Sequence, residues 1–99
     1  MKLYINTSDN KKTIVKLDKD CLEQPSGPDK SQQVLNLINQ ILKKNKKTLK
    51  DLTAIEVETG PGSFTGLRVG LAVANALGWT LKIPVNGEKV GELVEPKYE

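Results

Sequence analysis

The chain has 99 residues and a formal net charge of +3, with no His and a single Cys. This length allows one small domain, and the absence of His excludes an imidazole general base, a Ser-His-Asp arrangement and a His-ligated metal. Cys21 alone can form neither an internal disulfide nor a multi-cysteine metal site, which indicates a reducing compartment such as the cytoplasm. We therefore expect no metal and no cofactor.

The first third of the chain predicts a small set of antiparallel strands. Residues 2–8 and 13–17 are β-prone and are separated by a polar turn at 9–12, which is typical of a hairpin. A weaker third strand is predicted around 19–23. Residues 24–29 contain two prolines and a glycine, so we expect a loop there.

The spacing of apolar residues changes at Ser31 and predicts an amphipathic helix. Asp29 or Ser31 can cap its start, and Lys43 and Lys44 suit the negative end of its dipole. The apolar stripe consists of Val34, Leu35, Leu37, Ile38, Ile41 and Leu42.

Lysines are concentrated at the end of this helix, at Lys43, Lys44, Lys46, Lys47 and Lys50. One interpretation is a solvated helix end and loop. The other is a surface that contacts the phosphates of a nucleic acid. Aromatic residues are not interleaved with these lysines, so a base-stacking platform is not expected.

A predicted strand at 52–59 runs into the glycine-rich segment 60–66, Gly-Pro-Gly-Ser-Phe-Thr-Gly. Its spacing matches neither the dinucleotide fingerprint nor a Walker A loop. The glycines permit a tight turn into a helix that Ser63 can cap. Alternatively, free backbone N–H groups there could hold an anion.

The rest of the chain predicts a helix at 67–81, a short strand at 83–86 and a polar, loosely attached tail at 87–99. The predicted order of elements is β-β-β-α-β-α-β. This order gives an α/β domain with a mixed sheet and two main helices.

Small residues recur every four positions along the second helix, at Gly62, Gly66, Gly70, Ala74 and Gly78. A helical glycine costs roughly 1 kcal/mol relative to alanine, so this small-residue ridge requires a packing reason. Close approach of another helix is one reason, and packing on the domain's own sheet or first helix is the alternative. Because apolar or small side chains cover roughly 220° of the helix, we also expect a protein partner or a second copy.

Three segments, 5–8, 49–55 and above all 60–70, resemble the TsaB (YeaZ) family, and the resemblance extends over about residues 1–86. It implies an actin-like ATPase (ASKHA, ribonuclease H-like) lobe that has lost catalysis. It also implies a cytoplasmic scaffold subunit that supports a TsaD-type enzyme, and through it a TsaE-type ATPase, in making threonylcarbamoyladenosine at position 37 of tRNA.

The resemblance further implies the organisation of the chain. Residues 1–86 correspond to the N-terminal lobe, 87–99 are a polar tail in which 95–98 faintly resemble the ending of longer relatives, and the C-terminal lobe is absent. Asn6, Thr7 and Ser8 are a remnant of a phosphate loop, with Asn6 where the family usually has Asp.

Pairing through the two helices implies a partner interface, or in the partner's absence a homodimer interface, and residues 43–50 could touch tRNA within the complex. The predicted interface residues are Val34, Leu35, Ile38, Ile41, Leu42, Gly66, Leu67, Gly70, Leu71, Ala74, Leu77 and Gly78.

Two other functions stay open on the residues alone. One is a small nucleotide-binding or phosphotransfer enzyme that uses Thr7, Ser8 and the glycine-rich segment. Three features count against such an enzyme: the single lobe, the presence of Asn6 in place of an acidic residue, and the lack of His. The other is an independent RNA-binding module that uses residues 43–50.

Overall fold

The structure, a computed structural model, describes residues 1–95. It contains four strands, two α-helices and one short 3₁₀ turn. These elements are β1 (Lys2–Asn6), β2 (Lys12–Leu17), β3 (Asp20–Pro25), α1 (Lys30–Lys44), the 3₁₀ turn (Leu49–Asp51), β4 (Ala54–Val57) and α2 (Phe64–Leu81).

The strands form one mixed sheet in the order β3-β2-β1-β4. The predicted hairpin is confirmed, since β1 and β2 pair antiparallel, and the third strand is present slightly later than expected, at Asp20–Pro25. β4 lies parallel to β1, with Ile5 opposite Val57. The predicted last strand at 83–86 is reduced to a single bridge between Val85 and Ile55. The α/β class with a mixed sheet and two main helices is confirmed.

Alternation along the strands places most apolar side chains on one face of the sheet, where Leu3, Ile5 and Val15 are fully buried beneath the helices. The opposite face is largely polar, although the half-buried Ile14 also lies on it. There the Tyr4 hydroxyl donates to Glu58 at 3.3 Å, and burial together with the Glu58 charge raises the pKa of Tyr4. The polar face needs no further covering layer, so both helices pack on the same side.

The α1 helix begins as predicted. The Asp29 carboxylate accepts the backbone N–H of Gln32 at 3.0 Å, so Asp29 rather than Ser31 is the cap. The buried stripe of α1 consists of Val34, Leu37, Ile38, Ile41 and Leu42. This stripe packs on the apolar face of the sheet and forms the centre of the core.

The described part of the predicted polar tail, residues 87–95, is attached to α2 near its end. The Asn75 side chain on α2 donates to the Val94 carbonyl and accepts the Val94 N–H, both at 3.0 Å. A Cβ at Gly91 would lie 3.4 Å from the Trp79 ring. The polar composition of the segment gave no sign of this attachment, because a single side chain, that of Asn75, makes both bonds. The predicted similarity at 95–98 lies outside the described residues after position 95.

Candidate functional site

The end of β1 and the start of α2 are joined by a buried threonine. The Thr7 hydroxyl, which is 0% exposed, donates to the Gly66 carbonyl at 2.5 Å and accepts the Gly70 N–H at 3.1 Å. An α-helix normally pairs these two backbone groups with each other. Thr7 therefore ties the first turn of α2 directly to the sheet.

The small-residue ridge packs against the chain's own sheet. A Cβ added at Gly66 would meet the Thr7 carbonyl oxygen, one at Gly70 would meet the Thr7 hydroxyl, and one at Gly78 would lie 2.5 Å from a Val85 methyl group. The interpretation that the ridge receives a second helix is thus wrong, because β1 and Val85 already fill that space. The alternative, packing on the domain's own sheet, is confirmed.

Asn6, Thr7 and Ser8 use their polar groups within the chain. The Asn6 side-chain oxygen, Oδ1, accepts the Ser8 N–H at 3.0 Å and the Ser8 hydroxyl at 2.7 Å. The Ser8 carbonyl accepts the Ser63 N–H at 2.8 Å, and the Ser63 hydroxyl caps α2 by accepting the Gly66 N–H at 3.3 Å. The predicted cap is confirmed. These bonds hold β1 and the glycine-rich segment together, whereas phosphate binding there stays a prediction.

One ammonium group lies beside this junction. Lys30, at the start of α1, donates to the Asp9 carbonyl at 2.9 Å. Burial lowers the pKa of Lys30, and the charge of Asp9 opposes that shift. The Lys30 ammonium group also lies near Gly66. The first turns of α1 and α2 are therefore at the same end of the sheet, and the two helices run in the same direction.

The residues predicted for a partner interface lie mostly in the core. All of them except Leu35 and Leu77 are buried in this chain. Leu35 is 41% exposed, and Leu77 is half-buried. The most apolar faces of the helices were predicted to contact a partner, whereas the chain's own sheet occupies those faces.

The solvent-facing side of α2 was missed as a candidate. We call it the α2 outer face; Ala72 and Ala76 are exposed on it and Val69 and Val73 are half-buried. These four residues fall at i, i+3, i+4 and i+7, which is one side of a helix. The signal was available in the sequence, since at 100° per residue the centre of this stripe lies roughly 130° around the helix from the glycine ridge.

Leu35 extends the α2 outer face onto α1. Gln33 and Lys44 lie on the β3 side of α1, because Gln33 donates to the Pro25 carbonyl at 2.7 Å and Lys44 to Asp20 at 3.2 Å. At 100° per residue, Leu35 lies on the opposite side, where α1 packs against α2. Leu35 and the α2 outer face therefore belong to one helical surface.

Within residues 1–95, no group of three or more His, Cys, Asp or Glu side chains is placed to hold a metal ion. The helices in that range include none that is both long and apolar enough to cross a bilayer.

The family described as "TsaD: tRNA N6-adenosine threonylcarbamoyltransferase" matches residues 26–89. The chain is 36% identical over 77 residues to the TsaB protein of Buchnera aphidicola subsp. Schizaphis graminum, described as a tRNA threonylcarbamoyladenosine biosynthesis protein; the match covers 78% of this chain and 34% of that protein. It is 43% identical over 70 residues to a tRNA N6-adenosine threonylcarbamoyltransferase of Nitrosospira multiformis, a match that covers 69% of this chain and 20% of the relative.

The fold is that of YeaZ from Pseudomonas aeruginosa, which superposes with a TM-score of 0.73 at 24% identity over 89% of this chain and 43% of that one. The predicted actin-like, ribonuclease H-like lobe is therefore confirmed. The chain spans about a third of the length of the Buchnera relative, 34%.

Proposed function

We infer a function from one premise: this chain belongs to the tRNA N6-adenosine threonylcarbamoyltransferase (TsaD) family, which includes relatives named TsaB. We propose that it is a TsaB-type subunit without catalytic activity of its own, which binds and supports a TsaD-type enzyme in tRNA threonylcarbamoyladenosine synthesis. Residues 1–86 would be the equivalent of the N-terminal lobe of its relatives, and the site of action would be the cytoplasm, where tRNA is modified.

The α2 outer face carries the proposal. Of the 18 residues of α2, Arg68 alone is charged, whereas the exposed side of a solvated helix normally carries many charged and polar side chains. Ala72 and Ala76 face solvent and are flanked by half-buried valines. Small apolar residues on an exposed helix side allow a second helix to approach closely. Contact with a protein partner therefore explains these residues, whereas exposure to water does not.

Two observations support a role without catalysis. The chain has no His, and the described residues offer no cluster of metal ligands. At the end of β1, the hydroxyls of Thr7 and Ser8 are already bonded within the chain, which disfavours the alternative of a nucleotide-binding or phosphotransfer enzyme. Incubation of the purified chain with ATP and magnesium should give no turnover. Turnover that disappears in Thr7→Val would favour the alternative.

Co-purification with the TsaD-type protein of the same source tests the partner. We expect a complex that Ala72→Glu abolishes, because the substitution places a charge in the middle of the α2 outer face. Gln40→Glu is the matched control, since it adds the same charge to an exposed position on α1. A complex that tolerates Ala72→Glu would contradict the proposed interface, and the absence of any complex would contradict the proposed function.

A further inference from the structure

An open groove of about 730 Å³ lies beside the end of α1. It is lined by Asn39, Leu42, Lys43, Lys47, Thr48, Leu49 and Lys50. After α1 the chain reverses through Lys46, whose φ is 56°, and the N–H of Lys47 returns to the Leu42 carbonyl at 2.8 Å. This reversal places Lys43 on one wall of the groove and Lys47 and Lys50 on the other.

The negative end of the α1 dipole does not account for these lysines. Dipole effects are confined to the last turn, and Lys47 and Lys50 lie beyond it. The last carbonyls of α1 also have backbone donors already, since the Asn45 N–H lies 3.3 Å from the Ile41 carbonyl and 3.1 Å from the Leu42 carbonyl, and the Lys46 N–H lies 3.1 Å from the Lys43 carbonyl. The negative end of the α1 dipole can therefore account for the position of Lys43, but not for those of Lys47 and Lys50.

The charge of the groove is not cancelled within the described residues. Lys44 is paired with Asp20 at 3.2 Å and points away towards β3, whereas none of the three groove lysines has a carboxylate within salt-bridge distance in the described part of the chain. The nearby Asp51 carboxylate accepts the Thr48 N–H at 2.8 Å, and this bond lowers the pKa of Asp51. Asp51 is thus charged at neutral pH, but it does not line the groove, and three ammonium groups outnumber it.

The lining determines which part of a polyanion fits. Among the residues that the structure describes, no aromatic ring lines the groove, so these residues offer no surface for stacking on bases. Lysine ammonium groups act on phosphates as point charges. The floor is apolar at Leu42, and Leu49 is 37% exposed, which suits the carbon atoms of a sugar. This combination fits a sugar-phosphate backbone better than the side chains of an acidic peptide.

The groove is continuous with the proposed partner surface. Leu35, Asn39 and Lys43 follow one another at i, i+4 and i+8 on the same side of α1, so Lys43 lies about 12 Å from Leu35 along the helix. We propose that this groove, in the chain by itself as well as in the assembled complex, binds the phosphate backbone of RNA. The proposal rests on the proposed function, because the family premise makes tRNA the RNA that the complex would hold.

Binding of an unmodified tRNA transcript to the full chain, measured across a salt series, tests the groove. We expect Lys47→Gln with Lys50→Gln to weaken binding about tenfold at low salt and to reduce the slope of log affinity against log salt by about 2, one for each lost phosphate contact. Lys11→Gln with Lys12→Gln is the matched control, since it removes the same charge from two exposed residues at the start of β2, and it should leave both quantities nearly unchanged.

Three results would overturn the proposal: no binding of tRNA, equal losses in both double variants, or polyglutamate competing as well as RNA does. Its failure is separable from that of the proposed function, because the groove variant should retain the TsaD-type partner and Ala72→Glu should retain the transcript. Thermal melts of both double variants should match the parent chain, since all four lysines are exposed.

Discussion

The two sides of α2 are both built from small residues, yet they differ in which small residue is used. The side that faces the sheet has glycine at Gly66, Gly70 and Gly78, where a Cβ would overlap Thr7 or Val85. The outer side has alanine at Ala72 and Ala76, where the side chains are exposed. Glycine here marks contact with the chain's own backbone or core, whereas Ala72 and Ala76, unlike the buried Ala74, lie on a surface that is exposed within the described residues.

Gly70→Leu should have the largest effect. The leucine side chain would extend into the space occupied by the Thr7 hydroxyl. Overpacking of a core typically costs about 1–3 kcal/mol and occasionally more. At roughly 4–8 °C per kcal/mol for a domain of this size, we expect Tm to fall by about 10 °C or more, or the chain not to fold. Helix propensity alone predicts the opposite sign, because leucine is a better helix former than glycine.

The matched control is Ala76→Leu, which adds a similar side chain to the outer side of the same helix. It should leave Tm nearly unchanged at low protein concentration, because Ala76 is exposed. Equal losses in the two variants would show that both sides are packed within the chain, and the distinction between them would be lost.

Thr7→Val should have the next largest effect. Valine has the same shape but lacks the hydroxyl, so the Gly66 carbonyl and the Gly70 N–H lose a buried partner. A buried polar group left without its partner costs about 1–3 kcal/mol, offset in part if those two groups pair with each other. Urea denaturation measures the loss. Thr7→Ser retains the hydroxyl and should lose less, and a valine variant as stable as the serine variant would contradict the bridging role.

Asn75→Ala tests the border between the two sides. The Asn75 side chain makes two bonds to Val94, and because the site is only half-buried, we expect a global loss near 1 kcal/mol. The local effect should be clearer, namely faster proteolysis at Lys89 within the 87–94 segment. Unchanged cleavage at Lys89 would indicate that other contacts hold this segment in place.

The sequence was sufficient for those features that depend on local pattern. The hairpin, the stripe of α1, a cap of α1 at Asp29 or Ser31, and the Ser63 cap follow from periodicity and residue type over a few positions. The glycine-rich segment also identified the family, because it is specific over eleven residues, 60–70.

Contacts between residues that are far apart in the sequence could not be predicted in the same way. The spacing of Gly66 and Gly70 predicts close packing but not the identity of the neighbour, and only the fold brings Thr7, directly after β1, against them. Likewise, Asn75 and Val94 are 19 residues apart, and a polar composition gives no sign that one side chain holds the other. The interface residues were assigned by apolarity, which marks the core more strongly than it marks a surface.

Ala72→Glu should have the smallest effect on stability and a large effect on association. Exposed substitutions away from special contacts usually change stability by less than about 0.5 kcal/mol, so Tm should shift by a few degrees at most.

Without a partner, we expect the parent chain to form dimers at high micromolar concentration, because an exposed apolar face is commonly covered by a second copy. Light scattering should show that Ala72→Glu is monomeric while Gln40→Glu still dimerises. A parent chain that is monomeric throughout would mean that the α2 outer face is stable in water, and a dimer that survives Ala72→Glu would place the contact elsewhere. Either result would remove the difference in exposure as an explanation for glycine on one side of α2 and alanine on the other.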